Sequence, residues 1–175
     1  MKYYIGYLVR GELEENYHRL VEEVCEVFKL EKRSKKERIP HITIKSPFEI
    51  ESLSDVKKAL EKFAGEPFNG GFFYVNAFGH FDERVVYFNV DLGEQARINI
   101  SNLLQIIDRF PNDFYDQNRK FHITLFKGEE LEGRYEDIWG YLKKFNPNFK
   151  IPFDNITLFR KDESETNIER IFNLT

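Results

Sequence analysis

Two tripeptides in this chain carry the residue types that can move protons around a phosphate, His41-Ile42-Thr43 and His122-Ile123-Thr124. Side chains alternate along a strand, so residues two apart share a face. In His41-Ile42-Thr43-Ile44-Lys45 that alternation predicts Ile42 and Ile44 in a core and His41, Thr43 and Lys45 on the opposite face. In His122-Ile123-Thr124-Leu125-Phe126 it predicts Ile123 and Leu125 inside, with His122, Thr124 and Phe126 opposite. Imidazole titrates near about pH 6.5, so one ring can take a proton from water or a ribose hydroxyl while the other, protonated, supplies the leaving oxygen. Threonine hydroxyls can donate to the non-bridging oxygens as phosphorus becomes five-coordinate, and strand threonines are stiff at χ1. This set suits phosphodiester cleavage and calls for no metal and no cofactor.

A single His-x-Thr triplet is weak evidence, because short motifs recur by chance. The chain has only five threonines and four histidines, yet two of the histidines have a threonine two residues on. Random placement gives that in roughly one sequence in two hundred.

Cations gather just before each motif. The run Lys32-Arg33-Ser34-Lys35-Lys36-Glu37-Arg38 leads into Ile39-Pro40-His41, and Arg119-Lys120 leads into Phe121-His122. A basic run is commonly a solvated loop, but here it would concentrate positive potential beside the motifs and steer an anion. Arg38, Lys45, Arg119 and Lys120 are therefore expected to bind substrate, Lys45 as the fixed charge nearest the phosphate. Phe126 is expected to stack on a nucleobase or to lie in the core.

The elements that must position these groups recur along the chain. Aromatic and β-branched composition predicts a strand over 3–9, and three- and four-residue apolar spacing predicts a helix over 12–30. A strand over 41–48, a helix near 53–64, a hairpin over 72–80 and 85–90, a helix over 94–109 and a strand over 121–126 follow. A helix near 132–145 and strands near 153–160 and 168–174 complete the series. His41 and Thr43 map onto His122 and Thr124 at an offset of 81 residues. Gly11-Glu12 maps onto Gly93-Glu94, and Asp55, Val56, Leu60, Lys62 and Phe63 onto Asp137, Ile138, Leu142, Lys144 and Phe145, at 82. Phe72, Val75 and Phe78 map onto Phe153, Ile156 and Phe159 at 81. A near-constant offset over four elements predicts a duplicated β-α-β-α-β unit. The expected fold is α+β: two lobes related by a pseudo-twofold axis, with antiparallel sheets around a central cleft and helices outside. One domain over 1–175 is expected, with repeat halves 3–83 and 85–164 and a closing strand at 168–174.

Other chemistries find less support. His18 maps to Ile100 and has no partner, and His80 belongs to a hairpin end. Cys25 is the only cysteine, which removes a disulfide framework and a thiolate metal cage. No P-loop or dinucleotide glycine pattern is present. The net charge of −4 argues against coating nucleic acid through bulk electrostatics and leaves a small anionic substrate or a local basic patch open. No apolar stretch has the length of a membrane span or signal peptide, so a cytoplasmic monomer with no membrane partner is expected.

The paired motifs Pro40-His41-Ile42-Thr43-Ile44 and Phe121-His122-Ile123-Thr124-Leu125 resemble those of the two-histidine (2H) phosphoesterase superfamily, which includes the RNA 2′,3′-cyclic phosphodiesterases also called 2′-5′ RNA ligases. The resemblance implies a bilobal duplicated domain and metal-independent chemistry at 2′,3′-cyclic or 2′-5′ phosphodiester bonds of RNA ends or nucleotides. It also implies that His41 and His122 form the acid–base pair and that Thr43 and Thr124 hold the phosphate. The competing expectation is a catalytically silent RNA- or nucleotide-binding module using the same pocket.

Overall fold

Each half of the chain begins with a strand of aromatic and β-branched residues and turns at a glycine into an amphipathic helix. β1 (Lys2–Leu8) leads through Gly11 into α1 (Glu12–Phe28), and β4 (Val85–Leu92) leads through Gly93 into α3 (Glu94–Ile107). Gly11 takes φ +67°, a conformation that side-chain-bearing residues rarely adopt. In the computed structural model the described residues are 2–31, 38–162 and 166–175. The first half continues with β2 (His41–Glu49), α2 (Leu53–Ala64) and β3 (Phe72–Phe81). The second continues with a one-turn helix α4 (Phe114–Gln117), β5 (His122–Lys127), α5 (Tyr135–Leu142), β6 (Phe149–Pro152) and β7 (Asn155–Lys161), and β8 (Thr166–Asn173) ends the series.

The fold is α+β with two antiparallel four-stranded sheets, ordered β2-β1-β7-β8 and β5-β4-β3-β6. The lobes are not the two sequence halves. β3 closes the first unit but pairs with β4, the first strand of the second unit, while β7 closes the second unit and pairs with β1. Each sheet therefore takes strands from both units, which interlocks them. The tight hairpin between Phe81 and Val85 is the local reason, since consecutive strands pair most readily.

One apolar core runs beneath both sheets. It joins Ile5, Ile42 and Ile44 to Phe73, Phe88 and Ile123, and takes in Leu13, Val21 and Val24 of α1 with Leu103 and Ile107 of α3. The helices bury one stripe each, as their apolar spacing dictates. No helix among the described residues is long and apolar enough to cross a membrane. β2 and β5 are edge strands of their sheets and lie against one another, so the two motifs meet there.

β6 and α4 have no counterpart in the sequence-based expectation, and neither has the 3-10 turn Gly128–Glu130. Four residues are too few to show a period, and α4 is a single turn held by its own cap: the Asp113 carboxylate accepts from the Asp116 backbone at 3.1 Å and the Asp116 carboxylate accepts from the Asp113 backbone at 3.1 Å.

Candidate active site

The histidines are held alike at one ring nitrogen. Nδ1 of His41 lies 2.7 Å from the Ile39 carbonyl oxygen, and Nδ1 of His122 lies 2.7 Å from the Lys120 carbonyl oxygen. A carbonyl only accepts, so each Nδ1 carries hydrogen and each Nε2 is left for proton exchange. The two rings feel each other, since the His122 charge opposes protonation of His41.

Both rings sit in aromatic corners. His41 packs 5.1 Å from the rings of Tyr4 and Phe159, and His122 packs 5.0 Å from those of Phe81 and Tyr87. Gly6 makes the first corner possible, because a Cβ there would lie 2.5 Å from the Ile42 carbonyl oxygen and 3.2 Å from the Phe159 ring. Burial pushes His41 down to about 4; the Ile39 carbonyl opposes that shift, and the charges of Lys127 and His122 add to it. Burial also lowers His122, against its Lys120 carbonyl bond and with the help of the Lys120 charge.

Thr43 and Thr124 stand half-buried beside these rings, Thr43 opposite Gly6 and Thr124 opposite Tyr87. Neither hydroxyl has a hydrogen bond among the described residues, so each is available as a donor. His41, Thr43, His122 and Thr124 thus occupy the strand faces that alternation predicts.

Lys45 and Phe126 do not. On β2, Gly6 pairs with Thr43 but Ile5 pairs with Lys45, so Ile44 is an extra residue. On β5, Tyr87 pairs with Thr124 but Val86 pairs with Phe126, so Leu125 is extra. These β-bulges occupy equivalent places in the two motifs, and each turns the following residue onto the core face. Lys45 is fully buried, hydrogen-bonded to Asn112 and 3.6 Å from the Asp116 carboxylate, with its ammonium 5.4 Å from the centre of the Phe48 ring. Phe126 is fully buried beneath the Arg38 guanidinium, 5.2 Å away. The expectations of a phosphate ligand at Lys45 and a base-stacking ring at Phe126 are corrected on that ground.

The arginines are also structural. Arg38 donates to the Leu125 carbonyl at 2.8 Å and pairs with Glu130. Arg119 donates to the Ile44 carbonyl at 2.9 Å and lies 3.5 Å from the Asp116 carboxylate. Both guanidiniums are therefore bonded to the opposite motif strand; Arg38 is buried there, while Arg119 keeps partial exposure. Lys120 stays exposed, its ammonium 5.9 Å from the Phe81 ring centre and 5.4 Å from that of Tyr87, next to His122. Residues 32–37 of the basic run lie outside the described residues.

Sequence reasoning missed three groups. The Tyr4 hydroxyl lies 3.2 Å from Nε2 of His41, Lys127 acts on His41 by its charge, and Asp116 gathers Lys45, Arg119 and the Ser46 backbone N–H, the last at 2.8 Å. Only strand pairing brings Tyr4 to His41. Lys127, one residue beyond Phe126 on the motif strand, was the most accessible of the three. Among the described residues no three His, Cys, Asp or Glu side chains are grouped so that they could hold a metal ion.

Comparison with known proteins bears on the fold and the family. No curated protein matches the chain in sequence. Escherichia coli LigT complexed with 3′-AMP superposes with a TM-score of 0.61 at 17% identity, covering 99% of this chain and 98% of that one. TT0787 of Thermus thermophilus gives 0.59 at 17% identity with coverage of 99% and 98%, and Kluyveromyces marxianus Usb1 gives 0.54 at 10% with the same coverage. At such identities these likenesses speak for the fold. A model of the 2′-5′ RNA ligase superfamily matches residues 15–165, which include both motifs, and the chain belongs to that superfamily.

Proposed function

We propose that this chain is a metal-independent phosphodiesterase acting on 2′,3′-cyclic or 2′-5′ phosphodiester bonds of RNA ends or nucleotides. The observation that carries this reading is the matched pair of imidazoles, each with Nδ1 tied to the carbonyl two residues upstream, so that proton exchange falls to Nε2. Binding alone needs no such pair. In hydrolysis of a cyclic phosphate, a water oxygen bonds to phosphorus as its proton passes to one Nε2. The ring P–O bond breaks as the other Nε2 delivers its proton to the departing ribose oxygen. The Thr43 and Thr124 hydroxyls donate to the non-bridging oxygens, where charge builds. Lys120 and Lys127 supply positive potential at the mouth of the site.

The nucleotide ligands of the neighbours fit this substrate class: LigT was solved with 3′-AMP and with phosphate, and Usb1 with uridine monophosphate. The test is turnover of 2′,3′-cyclic nucleotides and 2′-5′ linked oligonucleotides by the pure protein, with and without chelator. We expect turnover that chelator leaves unchanged and that falls by about a thousandfold or more in His41→Ala and in His122→Ala. Tight binding of a cyclic-phosphate RNA end with no product after long incubation would instead identify a silent binding module.

A further inference from the structure

The two histidines are equivalent by sequence and alike at Nδ1, but they differ at Nε2. We propose that Tyr4 is a positioning residue whose hydroxyl, donating to Nε2 of His41, fixes His41 as the proton acceptor of the pair and leaves His122 as the donor. This assignment rests on the phosphodiesterase reading above and deepens it.

The Tyr4 hydroxyl oxygen lies 3.2 Å from Nε2 of His41 and 3.3 Å from Oγ1 of Thr166. Its ring is buried and stacks on Phe159 at 4.7 Å with an interplanar angle of 11°, so the hydroxyl has little freedom. Burial holds the phenol well above its usual range, so Tyr4 is a hydrogen-bonding group and not a base. With hydrogen on Nδ1, a neutral His41 offers only a lone pair at Nε2, which a donor must satisfy. A phenol has one proton; in this assignment it goes to Nε2 of His41, so between the two hydroxyls it is Thr166 that donates and the Tyr4 oxygen that accepts. The result is a chain from Thr166 to Tyr4 to His41 that favours the neutral ring.

Among the described residues the other motif has no such group. His41 pairs across the sheet with Leu8 and His122 with Asn89, so the counterpart of Tyr4 is Val85, which has no hydroxyl. The tyrosine that does pack on His122, Tyr87, turns its hydroxyl to the His80 carbonyl at 3.4 Å. The charged groups acting on His41 are Lys127 and His122, both opposing its protonation, and that on His122 is Lys120. In hydrolysis the attacking water takes the place of Tyr4 at Nε2 and its proton moves to His41. The ester oxygen then leaves with the proton from Nε2 of His122.

Two measurements test this. Tyr4→Phe keeps the stacked ring and removes the hydroxyl. By NMR titration without substrate, the His41 pKa should rise by roughly half a unit to one unit, while His122 moves far less. Thr166→Val should give a smaller shift in the same direction. A His41 value that stays put or falls, or an equal shift at His122, overturns the proposal. The second measurement uses a phosphodiester with a p-nitrophenyl leaving group, which needs no proton to depart. His122→Ala should then lose less than about tenfold while His41→Ala stays severely impaired; the reverse pattern also overturns it. If neither ester is turned over, the phosphodiesterase reading fails while the titration still decides the role of Tyr4 at His41.

Discussion

The Arg38 guanidinium donates to the carbonyl oxygen of Leu125 at 2.8 Å, so the approach to one motif holds the bulge of the other. Arg119, 81 residues later, returns the bond to the bulge carbonyl of Ile44 at 2.9 Å. β2 and β5 belong to different sheets and share no ladder, so these reciprocal bonds help to fix the separation between the catalytic strands. A bulge leaves a backbone carbonyl outside the ladder, and a buried carbonyl needs a donor. The paired arginines supply it.

Replacing Arg119 by methionine should therefore act on positioning. The lost bond to Ile44 is worth about 1.5–3 kcal/mol, which in a domain of this size lowers Tm by roughly 3–12 °C. A small misplacement of the strands should lower kcat by about ten- to a hundredfold with KM nearly unchanged. Steady-state kinetics with a cyclic nucleotide decides the matter. A rise in KM at constant kcat would return Arg119 to the substrate.

Lys45 makes the opposite case. It is buried behind the bulge against Asp116, away from the histidine face, so Lys45→Met should leave KM within about threefold of the parent. Asp116 would keep Arg119 and the Ser46 N–H. Asp116→Ala should be worse, by about 3–5 kcal/mol, because it strands the Lys45 ammonium in the interior. Steady-state kinetics with a cyclic nucleotide checks the first, and denaturant unfolding of Asp116→Ala against the parent checks the second.

The order of elements was legible because it rests on local periods. α1 lies within two residues of its predicted bounds, and both motif strands carry their histidine and threonine on the predicted face. The roles of Lys45, Phe126, Arg38 and Arg119 were not legible. Strict alternation places Lys45 beside His41, and one extra residue reverses it. A bulge is a property of the pairing and leaves no composition that distinguishes Ile44 from a regular strand residue. The crossing of β3 and β7 into the other unit's sheet is likewise a long-range choice.

Inorganic phosphate gives a direct reading of the site. An anion between the rings stabilises both imidazolium forms, so phosphate should raise the titration midpoints of His41 and His122 together. By linkage it should bind more tightly as pH falls from about 7 to 5. Calorimetric titration at several pH values checks this, with His41→Asn expected to flatten the dependence. An affinity independent of pH would place the anion elsewhere.

Stability should carry the mark of His41 as well. Its folded-state value is lowered to about 4, chiefly by burial, against about 6.5 in the unfolded chain. Between those two values the unfolded chain binds more protons than the folded one, so stability rises with pH across that window. The contribution is complete above about pH 6.5, is lost progressively as pH falls, and changes no further below about 4. His122 is shifted the same way and adds to the trend. In buffers without phosphate, the Tm of the parent should fall from pH 7 to pH 4 more steeply than that of His41→Asn, whose side chain does not titrate. Parallel curves for the two proteins would mean that His41 is as readily protonated folded as unfolded, and the neutral, buried imidazole on which the proton-acceptor assignment depends would be lost with it.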